Sequence, residues 1–208
     1  SRRHVFAFLL GAGRTVRPLL PGALKKKIQL APAAGEWPRA HHKTKMLLHV
    51  GCVQPAMMPN VDAATARVFD KLGIELIIAS DAECCGAIRQ HLNDHHGAEA
   101  QMKRNIDAWW PHVENGLDTI VINASGCGLM IKDYAEILAH DPAYAKKAKR
   151  ISAMTKDVSE ILPDYAAQIG VLARSKRQDA IPERVTYHPP CTLQHGQKIR
   201  GPVESLLG

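Results

Sequence analysis

Four short apolar runs recur along the chain, and segments with helical periodicity lie between them. The runs cover residues 45–50, 74–80, 119–123 and 184–188. Strand-length apolar runs that alternate with amphipathic helices predict an α/β fold. We therefore expect a mostly parallel sheet of about four strands with helices packed on it in three layers. The predicted order is β-α-β-α-β-α-α-β-α.

The segments between the runs predict several element boundaries. Asn60 is a plausible N-cap of the first helix, and the second helix is expected from about Ala98 to Val113. Residues 125–128 read as a turn before the third helix, because two of the four are glycines. Residues 142–174 look helical, with an interruption at Pro163.

All five cysteines come directly after the predicted strands. Cys52 follows the first, Cys84 and Cys85 follow the second, Cys127 follows the third and Cys191 follows the fourth. In Rossmann-like parallel sheets, ligands bind at the carboxyl ends of the strands. The sequence therefore predicts that these cysteines share one site at one edge of the sheet.

The residues around these positions predict a metal-binding role. Thiolates are soft ligands that suit zinc or iron–sulfur clusters. Adjacent cysteines diverge and do not easily bind one tetrahedral ion, whereas a polynuclear cluster offers each a separate iron. Neighbouring glycines let the backbone approach a bulky cofactor and direct N–H groups towards it. The predicted metal ligands are Cys52, Cys84, Cys85, Cys127 and Cys191, and the predicted cofactor-binding glycines are Gly51, Gly86, Gly126 and Gly128.

Three other interpretations of the cysteines remain open at this point. A structural zinc module would use Cys84, Cys85, Cys127 or His91, and His91, Asp94 and His95 also stand at helical spacing. Alternatively, the domain contains no metal and binds a partner protein. A thiol–disulfide enzyme would use the adjacent cysteine pair, although a vicinal disulfide is strained. The odd number of cysteines and the absence of a secretion signal favour a reducing compartment such as the cytoplasm.

The net charge of +7 is concentrated near the N-terminus. Residues 1–45 contain ten of the lysines and arginines but only one acidic residue, Glu36. Together with its prolines and glycines, this charge predicts that residues 1–44 form a basic arm or linker. Such an arm suits contact with an anionic membrane surface, but no stacking aromatics or motif indicates nucleic-acid binding. No apolar run approaches the ~20 residues of a membrane span.

Five segments together resemble the iron–sulfur subunits of bacterial glycolate oxidases. They are GCVQPAMMPNVDAATARV, ECCGAIRQHLND, RNIDAWWP, NASGCG and YHPPCTLQHGQ, and the resemblance covers about residues 37–208. The wider group is the cysteine-rich CCG family, which includes the cysteine-rich component of heterodisulfide reductases. The resemblance implies an iron–sulfur cluster of the [4Fe–4S] type, in the cubane or the non-cubane form, held by Cys52, Cys84, Cys85 and Cys127. This sequence departs from the family pattern at Ala124 and Met130. Where the family has a CxxC motif at the end of the repeat, this chain therefore has the single cysteine Cys127.

The resemblance also implies an organisation and a set of partners. Residues 45–180 would be a first CCG domain, and residues 181–208 the start of a truncated second repeat that contains Cys191. The ferredoxin-type domain of the family would lie outside this chain. The expected role is transfer of electrons from flavin-containing glycolate oxidase subunits towards a membrane or quinone acceptor. By itself the chain is expected to have no catalytic residues, and to be cytoplasmic or peripheral on the inner face of the cell membrane.

Overall fold

The computed structural model describes residues 3–175 and 186–207. The strands in these ranges are β1 (Thr44–Leu48), β2 (Ile74–Ile77), β3 (Ile120–Ile122) and β4 (Thr155–Asp157). The first six helices are α1 (Arg3–Val16), α2 (Gly22–Lys27), α3 (Gln54–Met57), α4 (Pro59–Lys71), α5 (Ala87–His91) and α6 (His95–Glu114). The later helices are α7 (Ser125–Lys132), α8 (Tyr134–Ile137), α9 (Ala145–Met154), α10 (Val158–Ile161), α11 (Ala166–Ser175) and α12 (Pro202–Leu207), and a π-helical turn covers Thr192–Gly196.

The four strands form one parallel sheet in the order β2-β1-β3-β4. This arrangement confirms the predicted fold class. From β1 the chain passes to β2 on one side, and it later returns to place β3 on the other side of β1. The strand order therefore reverses between β1 and β3, which is where parallel sheets of this kind bind ligands.

Helices cover both faces of the sheet, as expected for three layers. On one face, Leu47 of β1 packs in a core with residues of α6, α7, α8 and α9, including the fully buried Trp109. On the other face, Leu48 packs in a second core with α4 and α10, including Phe69. Successive side chains of a strand point to opposite faces, so adjacent residues of β1 contribute to different cores.

The fourth strand exists, but its predicted position was wrong. β4 lies inside the segment that was predicted to be helical, between α9 and α10. Its sequence, Thr155-Lys156-Asp157, contains no apolar run. The buried side chains are Thr155 and Asp157, and a polar residue is tolerated at each position because it forms hydrogen bonds. Within the run predicted as a strand, residues 186–188 have no regular structure, and residues 184 and 185 lie outside the described residues.

Two other boundaries differ from the predicted ones. Residues 125–128, predicted as a turn, are the first turn of α7. α4 begins at Pro59, with Met58 as its N-cap in place of Asn60. Proline suits this first helical position, because the N–H that it lacks would have no partner there.

The second helix of the prediction starts earlier than expected. α6 begins at His95, and Asp94 caps it by accepting a hydrogen bond from the Gly97 backbone N–H at 3.0 Å. Aspartate is a favoured N-cap because its carboxylate accepts from the free N–H groups of the first turn.

The basic N-terminal segment is partly helical and contacts the domain. Gly11 and Gly13, which suggested a linker, lie inside α1. The Arg14 guanidinium donates a 2.8 Å hydrogen bond to the Ala56 carbonyl, and Arg67 donates one of 3.0 Å to the Glu36 carbonyl. Among the described residues, no helix is both long and apolar enough to cross a membrane.

Candidate metal centre

Four cysteine side chains meet at the carboxyl edge of the sheet. Cys52 lies in the loop between β1 and α3, and Cys127 lies in the first turn of α7, after β3. Cys84 and Cys85 lie in the irregular segment between β2 and α5. Cys84 and Cys85 are buried, whereas Cys52 and Cys127 are half-buried. We refer to these four residues as the four-thiol group.

Each thiol of this group contacts the next, so that the four form a row. Cys52 contacts Cys84, Cys84 contacts Cys85, and Cys85 contacts Cys127. Hydrogen bonds from Cys52 and Cys85 lower the pKa of the Cys84 thiol, and a hydrogen bond from Cys85 lowers the pKa of Cys127. The pKa values of the donors Cys52 and Cys85 are raised by these bonds and by burial. The group therefore favours thiolates at Cys84 and Cys127, and thiolates are the form that binds metals.

His49 lies beside this group and was not singled out in the sequence. It follows β1, only 2% of its surface is exposed, and neither ring nitrogen has a hydrogen-bond partner of good geometry. The ring is close enough to Cys127 to lower the pKa of that thiol further, after the larger effect of Cys85. The indole of Trp109 packs perpendicular to it, with ring centroids 5.4 Å apart.

Two fully buried side chains hold the Cys84-Cys85 backbone in place. The amide of Asn105 donates to the Cys84 carbonyl at 2.9 Å and accepts from the Glu83 N–H at 2.7 Å. The Tyr134 hydroxyl donates to the Cys85 carbonyl at 2.7 Å, and Asn105 donates to that hydroxyl at 3.2 Å. Because buried backbone groups require partners, these bonds fix the irregular segment that carries both thiols.

A second polar network joins the other two cysteine loops. Gln54, two residues after Cys52, donates to Asp62 and to the Asn123 side-chain oxygen, both at 2.8 Å. Asn123, four residues before Cys127, in turn donates to the buried Asp62 carboxylate at 2.9 Å. The network therefore ties the loop after β1 to the end of β3.

The four predicted glycines differ in what surrounds them. Gly86 has φ +94°, and a Cβ there would lie 3.3 Å from the Ala98 carbonyl oxygen. At Gly51 a Cβ would lie 3.8 Å from the Cys127 Sγ, and at Gly126 it would have no neighbour within 4 Å. A Cβ at Gly128 would meet the Gln197 side chain at 2.9 Å. Contact of these glycines with a cofactor stays a prediction.

Cys191 does not join the four-thiol group, although its segment packs nearby. Its side chain is exposed, whereas the other four are buried or half-buried. The adjacent Thr192 hydroxyl lies 2.7 Å from the Ser125 hydroxyl, and Gln197 donates to the Ser125 carbonyl at 2.9 Å. A ligand role for Cys191 remains a prediction.

The donors that meet at this edge of the sheet are thiols. Across residues 3–175 and 186–207, no group of three or more histidine, cysteine or carboxylate side chains is placed to hold one metal ion. The His95 ring nitrogens contact the side chains of Gln90 and Asn93, and Asp94 caps α6. A row of thiols without carboxylates suits the soft, multi-iron chemistry of iron–sulfur clusters.

The comparisons with known proteins agree with this donor set. Residues 46–132 match the family model of the cysteine-rich domain CCG. The chain is 40% identical to the glycolate oxidase iron-sulfur subunit of Escherichia coli K12, over 99% of this chain and 49% of that protein. It is 25% identical to the probable glycolate oxidase iron-sulfur subunit of Bacillus subtilis 168, over 88% of this chain and 39% of that protein.

More distant similarity extends to another group of proteins. The chain is 28% identical to lactate utilization protein A of Geobacillus thermodenitrificans, over 72% of this chain and 58% of that protein. No solved structure matches the chain at a significant level. The chain spans about half the length of the curated glycolate oxidase subunit that it matches in E. coli. The four-thiol group lies wholly within residues 46–132, and this segment of the chain belongs to the cysteine-rich CCG domain family.

Proposed function

We propose that this chain is an electron-transfer module in which the four-thiol group holds an iron–sulfur cluster. The observation that carries the proposal is the meeting of four cysteines from three strand ends at the switch point of a parallel sheet. The ligands would be Cys52, Cys84, Cys85 and Cys127. Such a cluster accepts and releases single electrons, at a potential that hydrogen bonds and burial adjust. We propose the [4Fe–4S] type, with non-cubane geometry as the variant to test.

The protein's own part is to position the thiolates and limit the access of water. Asn105 and Tyr134 fix the carbonyls of Cys84 and Cys85, so these two side chains start from a defined backbone. Cys84 and Cys85 both lie in the apolar core on the Trp109 face of the sheet. The half-buried Cys52 and Cys127 mark the side that is open to an electron-transfer partner.

The names of the relatives support a proposal about the partners. The E. coli relative is named as an iron-sulfur subunit of glycolate oxidase. We propose that the chain works in a glycolate-oxidising complex, where it receives electrons from a flavin-containing subunit through a ferredoxin-type domain. It would pass them to a membrane or quinone acceptor. Residues 45–180 would be the first CCG domain, and residues 181–208 the start of a second repeat.

The N-terminal segment supplies a surface for membrane contact. Phe8 and Leu9 of α1 are 73% and 62% exposed, and α2 ends in three consecutive lysines. Apolar side chains next to lysines and arginines suit the interface of an anionic membrane. We propose that residues 1–44 place the module at the inner face of the cell membrane.

Anaerobic reconstitution tests the cluster directly. The full chain is incubated with iron and sulfide, and the bound iron, sulfide and zinc are measured per chain together with the visible absorption. We expect iron and sulfide in similar amounts and an absorption band that dithionite bleaches. Cys84→Ser and Cys85→Ser should each lose most of the bound iron.

A buried alanine provides the control for folding damage. Ala66→Ser also places a hydroxyl in a core, but on the opposite face of the sheet. It should retain the iron content of the unmodified chain. Stoichiometric zinc without iron or sulfide would overturn the proposal in favour of a structural zinc module. Binding of neither metal would overturn the proposal in favour of a protein-interaction role or of thiol–disulfide chemistry.

A further inference from the structure

A buried histidine beside the four-thiol group has a role that the ligand set does not explain. An unpaired polar group destabilises a protein when it is buried, so each such group in a native protein calls for an explanation. His49 has two unpaired ring nitrogens, and it lies at the switch point of the sheet. This inference rests on the proposed function, because it concerns the loaded centre.

The strand geometry determines which way the ring points. Leu47 faces the core that contains Cys84 and Cys85, and Leu48 faces the opposite core. The His49 backbone N–H donates to the Val121 carbonyl at 3.1 Å, so the extended pairing continues past the end of β1. Because side chains alternate, His49 shares the face of Leu47 and of the thiols.

The surroundings of the ring point to one kind of partner. Trp109 blocks one side of the imidazole with its perpendicular indole. The thiols of Cys127 and Cys84 lie close enough to the ring to interact with it. A neutral imidazole always carries one N–H donor. The sulfur of Cys127 is thus an acceptor that this N–H could meet in a loaded centre.

The same spacing occurs at the other single cysteine of the predicted repeat. His49 precedes Cys52 by three residues, and His188 precedes Cys191 by three residues. The surrounding sequences differ, with Val50-Gly51 in the first case and Pro189-Pro190 in the second. Both His188 and Cys191 are exposed, so this second pair shares the spacing of His49 and Cys52 but not the burial of His49.

We propose that His49 donates an N–H···S hydrogen bond to the Cys127 thiolate in the loaded centre and thereby raises the reduction potential of the cluster. The bond stabilises negative charge on sulfur, and the reduced cluster carries one more electron than the oxidised one. It therefore favours the reduced state. The step adds one electron from the external reductant, and His49 keeps its proton throughout. His49 is a positioning residue that acts through Cys127.

Redox titration of three variants tests this role. His49→Phe fills the space without a donor, His49→Gln retains an N–H donor, and His140→Ala removes an exposed histidine as the control. Each reconstituted full-length chain is titrated with dithionite, and the iron and sulfide contents are measured in parallel. We expect a lower midpoint potential for His49→Phe, partial recovery for His49→Gln and no change for His140→Ala.

Pulsed EPR of the reduced protein, labelled with ¹⁵N-histidine, gives a readout that does not need a variant to fold. A weak nitrogen coupling in the unmodified chain supports the hydrogen bond. A strong coupling, as from a directly bound imidazole, would overturn it, and so would the absence of any coupling. An unchanged potential in His49→Phe with a full iron content would refute this inference alone. A chain that binds no iron and sulfide would refute the proposed function together with it.

Discussion

Replacement of Asn105 by alanine should destabilise the domain and loosen the cysteine pair. Asn105 is fully buried and makes three hydrogen bonds, to the Glu83 N–H, the Cys84 carbonyl and the Tyr134 hydroxyl. Two backbone groups lose their partner in the variant, and each costs about 1–3 kcal/mol. Alanine recovers up to about 0.7 kcal/mol because it favours the helix. We therefore expect the free energy of unfolding to fall by about 1–5 kcal/mol.

Urea denaturation of the apo chain, followed by circular dichroism, measures this loss. Asn115→Ala is the matched control, since Asn115 is an exposed residue at the end of the same helix, and it should change stability by less than about 0.5 kcal/mol. The m-value should not change if only stability is affected. A loss below about 1 kcal/mol at Asn105 would refute the claim that its bonds hold the Cys84-Cys85 segment.

Three further substitutions test other parts of the account. Gly86→Ala should cost at least about 1–2 kcal/mol in urea denaturation, because of its left-handed backbone and the nearby Ala98 carbonyl, whereas Gly126→Ala, which has open space, should cost nothing. Equal effects of the two would contradict this view of the Gly86 turn. Burial raises the pKa of Asp157, so the contribution of this residue is fully present below the ordinary aspartate pKa and is lost as the pH rises through the raised value. Asp157→Asn keeps the cap on α10 and removes this titration, so its stability relative to the unmodified chain should increase as the pH rises above the ordinary aspartate pKa. A difference that is independent of pH would show that Asp157 does not titrate as described.

The sheet and the meeting of the thiols could be predicted because each rests on a local pattern. The first three strands are apolar runs, and a parallel sheet brings their carboxyl ends to one edge. Correct assignment of these three strands was therefore enough to predict that four cysteines meet: Cys52, Cys84, Cys85 and Cys127. β4 escaped prediction because its buried Thr155 and Asp157 are polar and are satisfied by hydrogen bonds to nearby residues.

The residues that support the centre could not be identified in the same way. Asn105 lies next to the apolar stripe of α6, but its partners come from the loop before α5 and from α8, which only the tertiary structure brings together. His49 stands inside an apolar run, and alternation from Leu47 gives its face but not the unpaired state of its ring. Cys191 was predicted to join the site because it follows the run at residues 184–188, which was predicted to be a strand. The described residues of that run, 186–188, do not form a strand.

X-ray absorption at the iron edge of the reconstituted chain tests the central claim most directly. If Cys52, Cys84, Cys85 and Cys127 hold an iron–sulfur cluster, the spectrum should contain a shell of sulfur neighbours together with iron–iron scattering. Both features should disappear in Cys84→Ser and persist in Ala66→Ser. Iron with oxygen or nitrogen neighbours and no iron–iron scattering in the unmodified chain would contradict the account.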